Sequence, residues 1–196
     1  MLTKLFTTVL DAVSDWTDCV ATRVPLRRAS GPDEVTLDLP GYVQLDSYGC
    51  GAIAGVMALK HFKPRASFTA FYARVSPHPA NGTATYRLIR ALRQSGLRVS
   101  ERHDLSFADL CAAIDAGSPV IVVVHNPGAD DTHWVVVYGY GRNPKRVFLA
   151  TNGFPMVTNA VLLSRFARIW SPHGNGLICA KSKRAVRKAR RVTPLP

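Results

Sequence analysis

Residues 50–62, CGAIAGVMALKHF, are followed within two positions by Pro64. The interior of this stretch, AIAGVMAL, has no polar side chain at any angle around a helix axis. A helix that is apolar all round has no face to offer water, so it belongs inside a core. Pro64 brings no N–H and clashes with the preceding turn, which ends the helix near Phe62. The pattern predicts a helix from Gly51 to Phe62, with the rest of the fold wrapped around it.

Three helices and a set of strands are available for the wrapping. ASFTAFYARV (66–75) and ATYRLIRALRQSG (84–96) read as helices, the second amphipathic and stopped by Gly96. LSFADLCAAIDAG (105–117) reads as a third, capped by Ser106 and stopped by Gly117. Leu110, Ala113 and Ile114 form its apolar face, and Cys111 is expected to share that packing. Then the character changes. PVIVVVH (119–125), HWVVVYGYG (133–141) and RVFLATNG (146–153) are β-branched runs of strand length. A strand near 156–158, a helix from about Asn159, and GLICA (176–180) closing the sheet complete the expectation. Helices first and strands second give an α+β fold of two lobes.

The flanks are simpler. Leu2, Leu5, Phe6, Val9, Leu10 and Val13 fall at helical spacing, so residues 1–22 read as an amphipathic helix. RVPLRRASGPDE (23–34) is a linker, EVTLDL (34–39) a short strand, and Pro40-Gly41 a turn. The expected division is an N-terminal helix and linker over 1–32, one domain over 33–180, and a basic tail over 181–196. No apolar run is long enough to cross a bilayer. Asp11 interrupts the N-terminal apolar run where a signal peptide needs continuity, which favours a cytoplasmic setting. Four cysteines at 19, 50, 111 and 179 have neither CxxC spacing nor a framework pattern, so no metal, no cofactor and no disulfide is expected.

Charge is divided sharply along the chain. Through Asp131 there are 13 acidic and 13 basic residues; beyond it there are 12 basic residues and no acidic one. Seven of the 12 lie in KSKRAVRKARR, 181–191. Such a tail is a solvated appendage, or a contact for nucleic acid or an anionic surface.

Cys50 is where chemistry enters. A helix N-terminus favours negative charge, so a cysteine there is disposed to ionise. Gly49 and Gly51 leave room for a substrate backbone. A nucleophilic thiol also needs a base and a group to orient that base. His133 opens the strand HWVVVYGYG, with His125 at the end of the preceding strand as a second choice. With a hairpin turn centred on Arg142–Asn143, His133 falls opposite Asn152, close enough for an amide to hold one ring nitrogen. Gln44, six residues before Cys50, can aim its amide N–H at a developing oxyanion, alongside the Cys50 backbone N–H.

This set resembles the papain-like cysteine peptidases. Gln44, then Cys50-Gly51-Ala52 opening an apolar helix, then His133-Trp134-Val-Val-Val, then Asn152 carries the likeness. It is nearest to the C39-like branch, known for domains that mature bacteriocin precursors, and covers roughly residues 40–155. DAGSPVIVVVH matches the strand that precedes the histidine strand in that branch. The resemblance implies a papain-like two-lobed fold, a helical lobe carrying the cysteine and an antiparallel sheet carrying His and Asn. It implies cleavage of a peptide or isopeptide bond in a peptide or protein substrate, often beside small residues such as Gly-Gly. One departure is local: the branch usually ends its third strand on an aspartate, where this chain reads LATNGF. Either Thr151 holds that position or Asn152 does its work, and the residue chemistry favours Asn152. No transporter region accompanies the motif, so the likeness does not imply bacteriocin export. Two other functions stay open: an acyl or γ-glutamyl transferase built on the same site, and a non-catalytic binding module with a nucleic-acid-binding tail.

Overall fold

The computed structural model describes residues 21–125, 132–151, 160–170 and 174–182. The expected helix over 1–20, the strand near 156–158, Asn152 and the tail from Lys183 lie outside the described residues.

Helix α1 (Cys50–Phe62) is the buried centre, with every residue from Cys50 to Leu59 buried. Two helices pack beside it: α2 (Phe68–Val75), capped by Ser67 accepting from the Ala70 N–H, and α3 (Thr85–Gln94), which ends before Gly96 at φ +85°. The stripe Leu88, Ile89 and Leu92 of α3 is the face turned inward. Ile53, Met57, Phe71, Leu88 and Leu92 are all shielded from solvent. Full burial of side chains of this size stabilises by about 1.5–3 kcal/mol each.

Strands β1 (Ala21–Val24) and β3 (Gly41–Gln44) form a two-stranded antiparallel ribbon. The remaining strands are β2 (Glu34–Thr36), β4 (Leu97–Arg102), β5 (Val120–His125), β6 (Thr132–Arg142), β7 (Lys145–Thr151), β8 (Ala160–Leu162) and β9 (Gly176–Lys181). They form one seven-stranded sheet in the order β4-β9-β5-β6-β7-β8, with β2 paired to the far end of β6. All its pairings are antiparallel. One face, with Ile121, Val136, Phe148 and Ala150, packs under α1 and its neighbours. The other, with Val122, Val135, Val137 and Leu149, is covered by α4 (Phe107–Asp115) and α5 (Leu163–Ile169). Both faces are covered, which explains why the central strands read as continuous valine and isoleucine runs instead of alternating with polar residues.

Several expectations are corrected. The helix expected through residue 22 does not reach that far, because Ala21–Val24 is β1. Residues around the Pro40-Gly41 turn continue directly into β3. Leu97–Arg102, to which the sequence assigned no element, is an edge strand with only Leu97 and Val99 buried. The GLICA strand sits between β4 and β5, inside the sheet, and does not close an edge. The last helix starts at Leu163, after β8. Cys111 is half-exposed and takes no part in the apolar face of α4; Leu110, Ala113 and Ile114 do. The Ser106 cap is present as a full capping box: its hydroxyl accepts from the Asp109 N–H at 3.2 Å, and the Ser106 N–H donates back to Asp109 at 2.8 Å.

The β6–β7 hairpin turns at Asn143–Pro144, between paired Arg142 and Lys145, one residue later than the expected centre. A register shift at Tyr138 then inserts one extra residue into β6. Thr151 pairs with Val135, where the expected register paired Ala150 with it. The argument that His133 lies directly opposite Asn152 therefore does not hold.

Candidate active site

The site is assembled where three pieces meet: the β3–α1 loop, the N-terminus of α1, and the start of β6. Gln44 is the last residue of β3 and Cys50 the first of α1. The loop between them is folded around one acidic side chain. Asp46 Oδ1 accepts from Gln44 Nε2 at 2.9 Å, from the Tyr48 N–H at 3.0 Å and from the Gly49 N–H at 2.6 Å. Its Oδ2 accepts from the Tyr72 hydroxyl of α2. Burial, then this hydrogen bond to a carboxylate, pushes the Tyr72 phenol far above its ordinary range and keeps it a donor.

Cys50 is only 9% exposed, and its thiol lies against the backbone of Trp134, the residue after His133. Trp134 itself packs at the helix start: a Cβ on Gly51 would lie 2.9 Å from Trp134 Cδ1 and 2.6 Å from Thr83 Cβ. A Cβ on Gly49 would lie 2.6 Å from Asp46 Oδ2. The two glycines thus make room for the protein's own side chains, and not for a substrate backbone as their spacing suggested. Their function is to let β6 and the loop close on the cysteine.

The acidity of Cys50 is set by opposing effects. Burial pushes the thiol up, the backbone N–H groups of Trp134 and Gly51 pull it down, and the Asp46 carboxylate pushes it up again; the net direction is up. The helix terminus does not by itself produce a thiolate here.

His133 is half-buried, with its Nε2 shut off from solvent, and its backbone pairs with Val124 of β5. The backbone of its chain neighbour, Trp134, reaches the Cys50 thiol. His125 is exposed at the end of β5, paired with Thr132. Gln44, Cys50 and the His133 segment are thus brought together. Thr151 ends β7, paired with Val135 two residues beyond His133. Asn152 lies outside the described residues. The residue that sequence reasoning missed is Asp46. The signal was present, an acid two positions after the glutamine, but an acid in a polar loop reads as solvated.

Among the described residues no group of three or more His, Cys, Asp or Glu side chains could hold a metal ion. No described helix is long and apolar enough to cross a membrane.

Comparisons with known proteins agree with this architecture. The model of the Peptidase_C39 like family matches residues 36–176. A protein described as a C39-like peptidase from Bacillus anthracis superposes with a TM-score of 0.61 at 15% identity, over 76% of this chain and 98% of that one. The peptidase domain of Streptococcus ComA, a bi-functional ABC transporter involved in a quorum sensing pathway, gives 0.60 at 21% identity, over 71% and 96%. A double glycine motif protease from an AMS/PCAT transporter, solved in complex with the leader peptide, gives 0.57 at 17% identity, over 76% and 95%. A comparison with curated proteins returns no match.

Proposed function

Because this chain belongs to the peptidase C39-like family, and is thereby a papain-like cysteine peptidase, we propose that its reaction runs through Cys50, His133 and Asn152, with Gln44 in the oxyanion hole. The observation that carries this reading is the placement of the Cys50 thiol at the start of a buried helix, against the backbone next to His133.

The chemistry follows from that placement. His133 takes the Cys50 proton, giving a thiolate beside an imidazolium. The thiolate attacks the scissile carbonyl carbon, a C–S bond forms, and the carbonyl oxygen becomes an oxyanion. Gln44 Nε2 and the Cys50 N–H donate to that oxygen. The intermediate collapses, the C–N bond breaks, and His133 passes its proton to the leaving amine. Water, losing a proton to His133, then splits the thioester and restores the thiol. Asn152, the residue after Thr151, would hold the imidazole in the working orientation, with Thr151 the alternative for that role. The substrate is a peptide or protein, and Gly-Gly at the cleavage site is its expected signature. Product analysis with and without an added amine separates a hydrolase from a transferase: free acid in both cases supports hydrolysis, and a new amide contradicts it.

Gln44→Ala is expected to lower kcat about 10²-fold or more, the usual effect of one lost oxyanion donor. KM should change little, because the charge exists only in the transition state. Steady-state kinetics on a fluorogenic Gly-Gly peptide amide checks the split, and a loss confined to KM would make Gln44 a binding residue instead.

The tail is proposed as a separate contact for nucleic acid or an anionic surface. β9 ends at Lys181, and residues 183–196 hold six basic residues and no acidic one. Truncation after Ser182 is expected to leave hydrolysis of a short peptide within about twofold, since the groups assigned to chemistry all precede it. Binding of the full chain to an RNA or DNA oligonucleotide, or to anionic vesicles, should weaken steeply with added salt and vanish on truncation. A truncated protein that is folded yet inactive would place the tail in the catalytic unit.

A further inference from the structure

A glutamine serves an oxyanion only when the NH2 end of its amide faces the reacting carbonyl. The two ends of an amide are nearly equal in size, so packing alone does not choose between them. Here the choice is made by a carboxylate. Asp46 Oδ1 only accepts, and Gln44 Nε2 gives it one of its two hydrogens at 2.9 Å. The reversed amide would set two acceptors against each other. The other end of the same amide, Gln44 Oε1, is buried and has no hydrogen-bond partner among the described residues. A buried acceptor left unsatisfied costs free energy. The amide is thus held with its NH2 end on Asp46 while its oxygen stays unsatisfied.

Asp46 also holds the frame. The same Oδ1 takes the N–H groups of Tyr48 and Gly49, the two residues before Cys50, and the Tyr72 hydroxyl clamps Oδ2 from α2. A residue at position 49 with a Cβ would meet Asp46 at 2.6 Å, so the sequence keeps a glycine where the carboxylate closes in.

We propose that Asp46 is the positioning residue of the oxyanion hole: it fixes the Gln44 amide with its second N–H free for the oxyanion and sets the loop that delivers the Cys50 N–H. This rests on the reading of Cys50 as nucleophile and Gln44 as donor. The carboxylate works against the nucleophile, since it pushes the Cys50 thiol up. A group placed only to activate the sulfur would carry the opposite charge.

The test compares two reactions at Cys50 in the full chain. Acylation by p-nitrophenyl acetate passes through an oxyanion; alkylation by iodoacetamide does not. Asp46→Ala is expected to slow acylation about 10-fold or more while alkylation at neutral pH stays within about threefold or rises. In a Gln44→Ala background the same substitution should cost acylation less than it does in the wild type, because the part of its effect that runs through Gln44 is already lost. Asp46→Asn keeps the size and one acceptor oxygen; it should lie between wild type and Asp46→Ala, and it carries the same cycle if the alanine variant does not fold. Equal losses in acylation and alkylation, or losses that add fully to those of Gln44→Ala, would overturn the proposal while leaving Cys50 as the nucleophile. Wild-type Cys50 that acylates no faster than Cys111 would instead overturn the underlying peptidase reading, and the proposal with it.

Discussion

Cys50→Ala is expected to abolish peptide hydrolysis, a loss of at least about 10⁴-fold in kcat, because on the proposed mechanism the acyl intermediate forms on Cys50. The fold should survive. Cys50 packs among Gly51, Ala52 and the Trp134 backbone, and an alanine fits the first turn of α1 without a clash. Removing one sulfur atom from a site that is 9% exposed should cost about 1 kcal/mol of stability. Thermal unfolding and turnover measured on the same preparation separate the two effects. An alanine variant that retains more than a few per cent of activity would remove Cys50 from the mechanism.

His133→Ala is the second large effect, about 10²–10⁴-fold in kcat, the range for losing a general acid–base. It also has a pH signature whose sign follows from the site. Burial and the Asp46 carboxylate both push the Cys50 thiol up. On the proposed mechanism, a thiolate at neutral pH depends on an imidazolium supplied by His133. Without His133, the thiol should ionise only above the ordinary value of about 8.5, so its alkylation rate should start to rise at alkaline pH. With His133 present, alkylation should already be fast near neutrality. Asn152→Ala should cost less than His133→Ala, since an orienting amide holds the ring but moves no proton, and Thr151→Ala less again. The exposed His125 should be replaceable by alanine with little effect; the reverse order of the two histidines would reassign the base.

The parts of this molecule that could be read from sequence are those in which one strong local signal agrees with the tertiary packing. The unbroken apolar run after Cys50 has one physical outcome, a buried helix, and α1 runs over Cys50–Phe62. Ser106 with Asp109 three residues on is a cap that needs no partner from elsewhere in the fold. The valine runs of β5 and β6 were legible because the sheet is covered on both faces. Leu97–Arg102 was not, since an edge strand with two buried side chains has too little apolar pattern to announce itself. The four-residue strands β1 and β3 stabilise one another, and neither segment carries a signal alone. Register failed for a different reason. The turn closes one residue later than the count assumed, which moves every pairing by two positions, and the extra residue at Tyr138 takes back only one of them.

The site divides in the same way. Gln44, Cys50 and His133 could be proposed from the sequence because their order and chemistry are constrained together. The net upward push on the Cys50 thiol was hidden, because it depends on burial and on a carboxylate whose partners come from β3, the loop and α2. Asp46 was hidden for that reason too: what distinguishes it from a solvated loop acid is the set of donors that folding brings to it.

The central claim, that Cys50 is an activated nucleophile, is tested most directly by competitive labelling of the native full-length protein. A limiting amount of iodoacetamide at neutral pH, followed by peptide mapping, gives the relative rates of the cysteines. Among the described cysteines, accessibility alone would put Cys111 first, because it is half-buried, whereas Cys50 is buried and Cys179 is buried with its thiol pushed up to about 12. The expected result is the opposite order, with Cys50 modified well ahead of Cys111 and the preference lost in His133→Ala. Labelling that follows exposure, with Cys111 ahead of Cys50 in the wild-type protein, would contradict the account.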